Sequence, residues 1–240
     1  MRRTVVSILL SLCFCYTLWG HSVQPEFSVA GFYPLDGVGR EIYSMNPSWL
    51  FYRGDMVGAE QKEFDDSRWT LVSLPHSIDT LPTEASGCIN YQGVCWYRKH
   101  FSSSDSFAGK KLFLYFEAIM GEARVWVNGK LCATHYGGYL PVIVDITDKL
   151  EPENVIAVYT DNSNCPLYPP GKPQEFLDFT YSGGIYRDCW LIAHNRVYIT
   201  DENYAAEVGG GGLFVSYSRV SEKSADVNLK FCLLYTSPSP

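Results

Sequence analysis

The sequence lacks an excess of basic residues, because 19 Lys and Arg stand against 26 Asp and Glu, for a net charge of −7. Domains that bind nucleic acid carry a basic face that meets the phosphates, so this charge balance argues against a nucleic-acid partner. After residue 22 the sequence also lacks an apolar run of the about 20 residues that cross a bilayer as a helix. We therefore expect no transmembrane segment.

Patterns that bind metals or phosphates are missing as well. The spacings of the eight cysteines match no zinc-binding pattern such as a pair of CxxC units. The glycines at 209–212 lack the Lys-Ser/Thr pair of a phosphate-binding loop. No Gly-x-Ser-x-Gly elbow presents a nucleophilic serine. We predict neither a metal site nor a cofactor.

The N-terminus has the pattern of a secretory signal. Residues 1–3 are Met-Arg-Arg, residues 5–19 form an apolar run, and residues 20–22 offer small side chains for cleavage. We therefore assign residues 1–22 to a signal peptide and predict export, to the periplasm or the extracellular space. Cys13 could be a lipid-attachment site, but the bulky Leu12 precedes it where such sites carry a small residue.

Export leaves the state of the remaining cysteines open. An oxidising compartment permits disulfides, and a Cys88–Cys95 bridge would close a short loop. Buried unpaired thiols are the alternative, since cysteine packs like a small apolar residue. The sequence does not decide the connectivity.

Long stretches of helical periodicity are absent, whereas short alternating runs recur between turns. Asn128-Gly129 separates two such runs and is the strongest short signal for a hairpin. Many short strands with Gly, Pro and Asn turns predict an all-β fold, a jelly-roll β-sandwich over residues 49–195. The runs assigned to its strands are Trp96–Phe101, Lys111–Glu117, Ala123–Val127, Lys130–His135, Val142–Ile146, Val155–Thr160 and Cys189–Ala193.

The segments on either side of this domain have a different character. Residues 23–48 are aromatic and interrupted by Gly and Pro, and we interpret them as an irregular lead-in. Residues 196–240 hold three more strand-like runs, which are too few to close a sandwich of about seven strands. From about residue 232 the composition changes to Ser and Pro, which indicates a non-native tail on an incomplete second domain.

The most informative segment is DFTYSGGIYRDCW at residues 178–190, directly before an apolar strand. Its Gly-Gly pair lets the backbone approach a neighbour or a ligand closely. Its carboxylate, Asp178, stands beside aromatic residues, a combination that suits a sugar with hydroxyls to bind and C–H faces to stack on. A turn held by an Arg187–Asp188 pair is the plainer interpretation.

The order of motifs along the chain resembles the N-terminal sugar-binding domain of family 2 glycoside hydrolases, the group of β-galactosidases, β-glucuronidases and β-mannosidases. The resemblance extends over roughly residues 43–234. Within this family the chain is most similar to exported β-galactosidases. The motifs that carry it are FDDSRW (64–69), VSLPH (72–76), GVCWYRKHF (93–101), FEA (116–118), ARVWVNG (123–129), GGYLP (137–141), DIT (145–147), NVIAV (154–158) and YSGGIYRD (181–188).

The resemblance implies a jelly roll, then an immunoglobulin-like sandwich, then a (β/α)8 barrel with two catalytic glutamates. Carboxyls about 5–5.5 Å apart would give retaining hydrolysis through a glycosyl-enzyme intermediate. The sequence stops before such a barrel, so residues 196–240 are interpreted as a truncated immunoglobulin-like domain. We expect a carbohydrate substrate for the parent enzyme, a missing C-terminal barrel of the same polypeptide as partner, and no hydrolysis by this chain alone.

The resemblance also implies two substrate-binding residues. Asp178 matches an acidic residue that reaches from the jelly roll into the mouth of the barrel. Asn90 lies on a loop that leans toward the substrate, with Tyr91 and Gln92 as close competitors for the role. His76 is interpreted as a hydrogen-bonded turn residue rather than a base.

Two other classes of function stay open from the sequence alone. A free-standing carbohydrate-binding β-sandwich would fold by residue 195 and bind sugars in isolation. A structural or adhesive sandwich would use its aromatic residues only in the core.

Overall fold

Short antiparallel strands joined by turns build the protein, and the computed structural model describes residues 32–35, 40–80, 90–205 and 211–235. Two sheets face each other. The five-stranded sheet has the strand order β1-β2-β11-β6-β9 and the six-stranded sheet has the order β4-β3-β5-β10-β7-β8. The predicted all-β sandwich is confirmed. The predicted signal peptide (1–22) and Cys88 lie outside the described residues.

The chain crosses repeatedly from one sheet to the other. The five-stranded sheet consists of β1 (Tyr33–Pro34), β2 (Glu41–Ser44), β6 (Lys111–Phe116), β9 (Val142–Asp145) and β11 (Cys189–His194). The six-stranded sheet consists of β3 (Trp49–Arg53), β4 (Thr70–Val72), β5 (Val94–Ser102), β7 (Gly121–Val127), β8 (Lys130–Gly137) and β10 (Glu153–Asp161). Short 3-10 turns span Asp105–Phe107 and Gln174–Phe176.

The Asn128-Gly129 turn joins β7 and β8 as the sequence predicts. Both residues have positive φ, 50° and 76°, which is the backbone of the turn that matches the twist of a two-residue hairpin. The Asn128 side chain adds a bond, because its Oδ1 accepts the Val155 N–H at 2.9 Å. The hairpin tip is thereby fastened to the neighbouring strand β10.

The main core fills the space between the sheets. Leu114, Phe116 and Leu191 from the five-stranded sheet are fully buried, and so are Val125 and Ile156 from the six-stranded sheet. Along β7 buried and more exposed residues alternate, the period of two expected of a strand with one face on a core. Full burial of each such aliphatic or aromatic side chain contributes about 1.5–3 kcal/mol.

A second, smaller cluster covers the outer face of the six-stranded sheet. Trp96 and Ala157 pack there against Ala59, which belongs to the loop between β3 and β4. Arg98 projects to the same side, yet it is fully buried and binds the Asp66 carboxylate. Arg98, which the sequence placed on the outward face of its strand, therefore holds the loop between β3 and β4 against the sheet.

Strand β2 corrects the prediction of an irregular lead-in. Glu41–Ser44 pairs with β11 in the middle of the sheet and with β1 on its other side. Four residues are too few to show an alternating pattern, and the pairing partner lies about 150 positions later in the chain. The sandwich therefore includes residues of the segment 23–48.

Four strands follow the sandwich. β12 (Val197–Ile199) pairs with β15 (Leu233–Tyr235), and β13 (Leu213–Ser218) pairs with β14 (Asp226–Phe231). The sequence predicts three strand-like runs after residue 196, and the described residues hold four strands because the last run is divided at Cys232. The immunoglobulin-like character of this part and the non-native origin of its tail stay predictions. The described residues contain no helix that is long and apolar enough to span a membrane.

Candidate functional site

The loop between β10 and β11 carries the first candidate residue, Asp178. Asp178 is exposed, and so are its neighbours Phe176 and Phe179, with 73% and 46% of their surface accessible. At the end of the loop Ile185 is fully buried in the main core and anchors it. The structure thus holds a carboxylate and two aromatic rings at the surface of an anchored loop.

The second candidate, Asn90, lies beneath this loop and is buried. Its N–H donates to Oε1 of Gln174 at 2.9 Å, and its Oδ1 accepts from Nε2 of Gln174. Its Nδ2 donates to the Tyr181 carbonyl at 2.5 Å. Since both polar atoms of the side chain are engaged inside the protein, direct substrate binding by Asn90 conflicts with its burial. The structure assigns Asn90 to holding the loop.

We call Asn90, Gln174 and the Tyr181 carbonyl the carboxamide clamp. The clamp binds the loop on both sides of Asp178, at positions 174 and 181. Gln174 is 3% exposed, and the sequence did not point to it because a single glutamine in a Pro-rich segment carries no pattern. Buried polar groups that are fully hydrogen-bonded hold one conformation, because each broken bond leaves an unsatisfied group.

The competitors of Asn90 lie close to the clamp. Gln92 donates from Nε2 to the Asn164 side chain at 2.7 Å and to the Tyr181 hydroxyl at 3.0 Å. Tyr91 donates its N–H to the Asp79 carboxylate at 2.6 Å. Both residues are half-buried and bonded within the protein.

Asp79 is the charged anchor of this neighbourhood. The backbone N–H of Tyr91 and then the Arg53 guanidinium lower the pKa of Asp79, although partial burial opposes them. Arg53 also donates to the Ile78 carbonyl at 2.7 Å and lies over the Tyr91 ring, 4.9 Å from its centroid. The segment around residue 79 is thus tied to the segment around residue 91.

The Gly183-Gly184 pair lets the loop pass against its neighbours, as the sequence predicts. A Cβ on Gly184 would lie 2.2 Å from the Tyr97 hydroxyl, and one on Gly183 would lie 2.3 Å from Nδ2 of Asn162. Gly184 also has a φ of +87°, a region that side chains disfavour. The close approach is to the protein itself.

His76 occupies a structural position. Its ring Nδ1 lies 2.9 Å from the Tyr97 hydroxyl, and its N–H donates to the Ile185 carbonyl at 2.9 Å. Burial and then the nearby Arg53 lower the pKa of His76. The interpretation as a hydrogen-bonded turn histidine agrees with this geometry.

Arg187 and Asp188 do not form the pair that the sequence suggested. Asp188 accepts a bond from Nδ2 of Asn46 at 2.8 Å, and Oδ1 of Asn46 accepts the Cys189 N–H at 2.9 Å. Arg187 instead lies over the Tyr186 ring, 5.7 Å from its centroid. Adjacent residues on an extended chain point to opposite sides, and the partner of Asp188 comes from the segment that follows β2.

The described part of the chain contains free thiols but no cluster of metal-ligating side chains. Cys95 and Cys189 are buried free thiols, and burial raises the pKa of Cys95 to about 11. No group of three or more His, Cys, Asp or Glu that could hold a metal ion occurs among the described residues. The loop around Asp178 offers hydrogen bonds and aromatic faces.

Comparison with known proteins matches residues 57–195 to the family described as "Glycosyl hydrolases family 2, sugar binding domain". A β-galactosidase of Thermoanaerobacter pseudethanolicus is 36% identical over 173 residues, 71% of this chain and 23% of that protein. A β-glucuronidase of Formosa agariphila is 30% identical over 205 residues, 80% of this chain and 21% of that protein.

Solved structures agree with these relatives. A Bacteroides uniformis β-glucuronidase superposes with a TM-score of 0.68 and 33% identity over 79% of this chain and 22% of its own. The chain therefore spans less than a quarter of the length of each of these three relatives.

Proposed function

The chain belongs to family 2 of the glycosyl hydrolases, and from this premise we propose that its sandwich is the sugar-binding domain of an enzyme that hydrolyses terminal β-linked sugars. The family match over residues 57–195 supports the proposal. In the relatives the matched stretch makes up only 23% and 21% of the protein. The activity is accordingly proposed for a longer protein of which this chain is the N-terminal part.

Asp178 is the residue through which the domain would contact the substrate. The observation that carries this role is an exposed carboxylate between two exposed phenylalanines, on a loop held from below by the carboxamide clamp. A carboxylate accepts hydrogen bonds from two hydroxyls, and aromatic faces suit the apolar side of a sugar. Asn90 and Gln174 would act as positioning residues.

Bond cleavage would be performed by a pair of glutamates in a barrel domain outside the 240 residues. The comparison supports this division, since the matched stretch makes up only 23% and 21% of the β-galactosidase and the β-glucuronidase. A retaining mechanism through a glycosyl-enzyme intermediate is proposed, which needs two carboxyls about 5–5.5 Å apart. The isolated chain would then bind weakly and not hydrolyse.

The proposed substrate is a β-galactoside, and the glucuronidase relatives make a β-glucuronide the competing candidate. Export to the periplasm or the extracellular space is proposed from the charged start and apolar run of residues 1–19. Both proposals concern the longer protein.

The test compares the chain with the longer protein on 4-nitrophenyl β-D-galactopyranoside and 4-nitrophenyl β-D-glucuronide. We expect turnover only by the longer protein, with the galactoside preferred. Asp178→Asn should lower its kcat/KM about tenfold or more, the loss that corresponds to a charged hydrogen bond. Asp105→Asn, in the exposed 3-10 turn of the sandwich, is the matched control.

Turnover by the 240-residue chain would overturn the proposed division of labour. An unchanged kcat/KM in Asp178→Asn would overturn the role of Asp178 while leaving the family assignment intact. Tight sugar binding by the chain alone, lost in Asp178→Asn, would instead identify a self-contained binding module.

A further inference from the structure

A cavity of about 240 Å³ lies on the outer face of the five-stranded sheet. Its lining includes Phe113 on β6 and Trp190 on β11, whereas Leu114 and Leu191 beside them point into the main core. Tyr204 closes it from the segment that follows β12. Neither Asn90 nor any residue of the 162–188 loop lines this cavity, so it is a separate place in the fold.

The aromatic side chains of the cavity support one another. The Phe113 ring packs edge-on against Tyr204, with centroids 5.0 Å apart. The His194 and Tyr198 rings, which also line the cavity, stack at 4.8 Å with 26° between their planes. The Trp190 indole is fixed by a bond from Nε1 to Glu117 at 2.9 Å. Rings held in this way present a preformed apolar surface, and a preformed site binds with little loss of conformational entropy.

Two charged groups of opposite sign complete the cavity. Asp201 accepts the N–H groups of Asn203 and Tyr204 with Oδ1, at 2.8 and 3.3 Å, and its second oxygen has no bond to the described residues. Arg40 forms neither a hydrogen bond nor an ion pair with a described residue, Asp201 included. Toward the described residues, the cavity therefore offers two unbonded groups, the Arg40 guanidinium as a donor and the second oxygen of the Asp201 carboxylate as an acceptor.

These features select a class of ligand. An anionic sugar near Arg40 would also lie near Asp201, whose negative charge would repel it. The hydroxyls of a neutral sugar ring can accept a hydrogen bond from Arg40 and donate one to Asp201. The volume lies below the roughly 300–1,000 Å³ of pockets for drug-sized ligands, so it suits one ring rather than a long oligosaccharide. Burial and the nearby Arg40 lower the pKa of His194 to about 4, which keeps this side chain uncharged at neutral pH.

We propose that the cavity lined by Trp190, Tyr204, Arg40 and Asp201 is a second sugar-binding site, which takes a single neutral pyranose unit. The ring would lie against the aromatic side chains while its hydroxyls bond to Arg40 and Asp201. This site goes beyond the proposed substrate contact of Asp178, with which it shares no residue. It would hold a polysaccharide branch or end while a different unit is cleaved.

The test is an NMR titration of the ¹⁵N-labelled chain with methyl β-D-galactopyranoside. Each tryptophan gives one indole signal, and Trp190→Phe identifies the signal from the cavity. We expect that signal to shift saturably with a dissociation constant of order millimolar, the range for a ligand of this size. The signals of Trp96 and Trp126, on the outer face of the other sheet, should stay unchanged.

Two variants test the assigned contacts. Tyr204→Ala and Arg40→Ala, both at exposed residues, should each weaken binding roughly fivefold or more, the factor that one aromatic or hydrogen-bonding contact contributes. Tyr136→Ala, at a tyrosine that is 60% exposed on β8, is the matched control and should bind as the wild type does. Asp178→Asn should also leave this titration unchanged, which separates the second site from the proposed substrate contact.

Any of three results would overturn the proposal. The first is no shift of the Trp190 signal up to about 100 mM sugar, well above a millimolar dissociation constant. The second is equal affinity in both variants and the control. The third is a saturable shift with methyl β-D-glucuronide but not with the galactoside, which would contradict the neutral character of the ligand.

Discussion

The guanidinium of Arg98 and the carboxylate of Asp66 form a buried ion pair, with Nε and Oδ2 2.6 Å apart and side chains that are 0% and 6% exposed. The pair joins strand β5 to the loop that covers the outer face of the six-stranded sheet. Arg98 donates further to the Gln61 carbonyl at 2.9 Å, and Asp66 also lies 2.7 Å from Nε2 of His100. One residue thus holds a loop that has little regular structure of its own.

Truncating this pair should strongly destabilise the protein. We expect Arg98→Ala to lower the free energy of unfolding by about 3–5 kcal/mol, because it leaves the Asp66 carboxylate buried without its guanidinium partner. Urea denaturation measures the change. Arg219→Ala removes a partner of Asp226 in an ion pair whose side chains are 83% and 42% exposed, and such a pair contributes at most about 1 kcal/mol. Similar losses in the two variants would contradict the assigned burial of Arg98.

Gly184→Ala should lower the free energy of unfolding for two reasons, and a control variant can separate them. The new Cβ would lie 2.2 Å from the Tyr97 hydroxyl, and the residue has a φ of +87°. Overpacking and backbone strain each contribute about 1–3 kcal/mol. In Gly109→Ala the φ of +72° is similar, but the nearest atom is 4.0 Å away. We expect Gly184→Ala to lose about 2 kcal/mol or more beyond the Gly109→Ala variant in urea denaturation. Equal losses would show that the loop does not pass against Tyr97.

The carboxamide clamp should behave as a coupled unit. Because Asn90 and Gln174 exchange two hydrogen bonds, the single variants Asn90→Ala and Gln174→Ala should not be additive. We expect a coupling energy of about 0.5–3 kcal/mol from a double-mutant cycle in urea. Hydrogen exchange of the amides at 174–181 should speed up in each single variant.

The control is a substitution at the residue next to Gln174 in the sequence. Glu175→Ala alters the exposed residue beside Gln174 and should leave the exchange of residues 174–181 close to that of the wild type. Additive energies, or equal exchange in all variants, would mean that the loop is held by other contacts.

The protonation of His194 gives a prediction for pH. Its pKa is lowered to about 4 by burial and then by Arg40, whereas an unfolded histidine titrates near 6.5. Between these two values the unfolded chain binds more protons than the native one, so His194 makes stability fall as the pH drops from about 6.5 to 4. Above about 6.5 it has no such effect.

Two measurements check this behaviour. The ring proton signals of His194, identified through His194→Gln, should titrate near pH 4 in the native protein. The free energy of unfolding of His194→Gln should decline less steeply between about pH 6.5 and 4 than that of the wild type. A native titration at or above pH 6.5 would contradict the assigned environment, which consists of Arg40 and the rings of Phe113 and Tyr198.

Much of the sandwich could be predicted because each long strand carries its own period. β7 alternates visibly, and the positive φ values of Asn128 and Gly129 follow from residue types that favour them. Glu41–Ser44 and Thr70–Val72 escaped prediction because strands of four and three residues show no period. Their place is set by pairing with β11 and β3, which local sequence does not encode.

The candidate site could be predicted only in part, for a similar reason. Asp178 is conspicuous through its neighbours in the sequence, and the Gly183-Gly184 pair through its backbone freedom. Gln174 carries no such signal, and the contacts of Asn90 differ from those expected, because their partners lie 84 and 91 positions away. The exposure of Asp178 and the burial of Asn90 are both consequences of how the loop docks.

By itself the sequence determined the class of fold and the family, because alternating strands, turn residues and ordered motifs are local properties of the chain. Tertiary structure alone decided which polar groups are hydrogen-bonded inside the protein and which remain at its surface. A hydrogen bond satisfies a group only when a partner lies within about 3 Å, and for Asn90, Arg98 and Asp188 that partner comes from a distant segment. Packing of the two sheets brings those segments together.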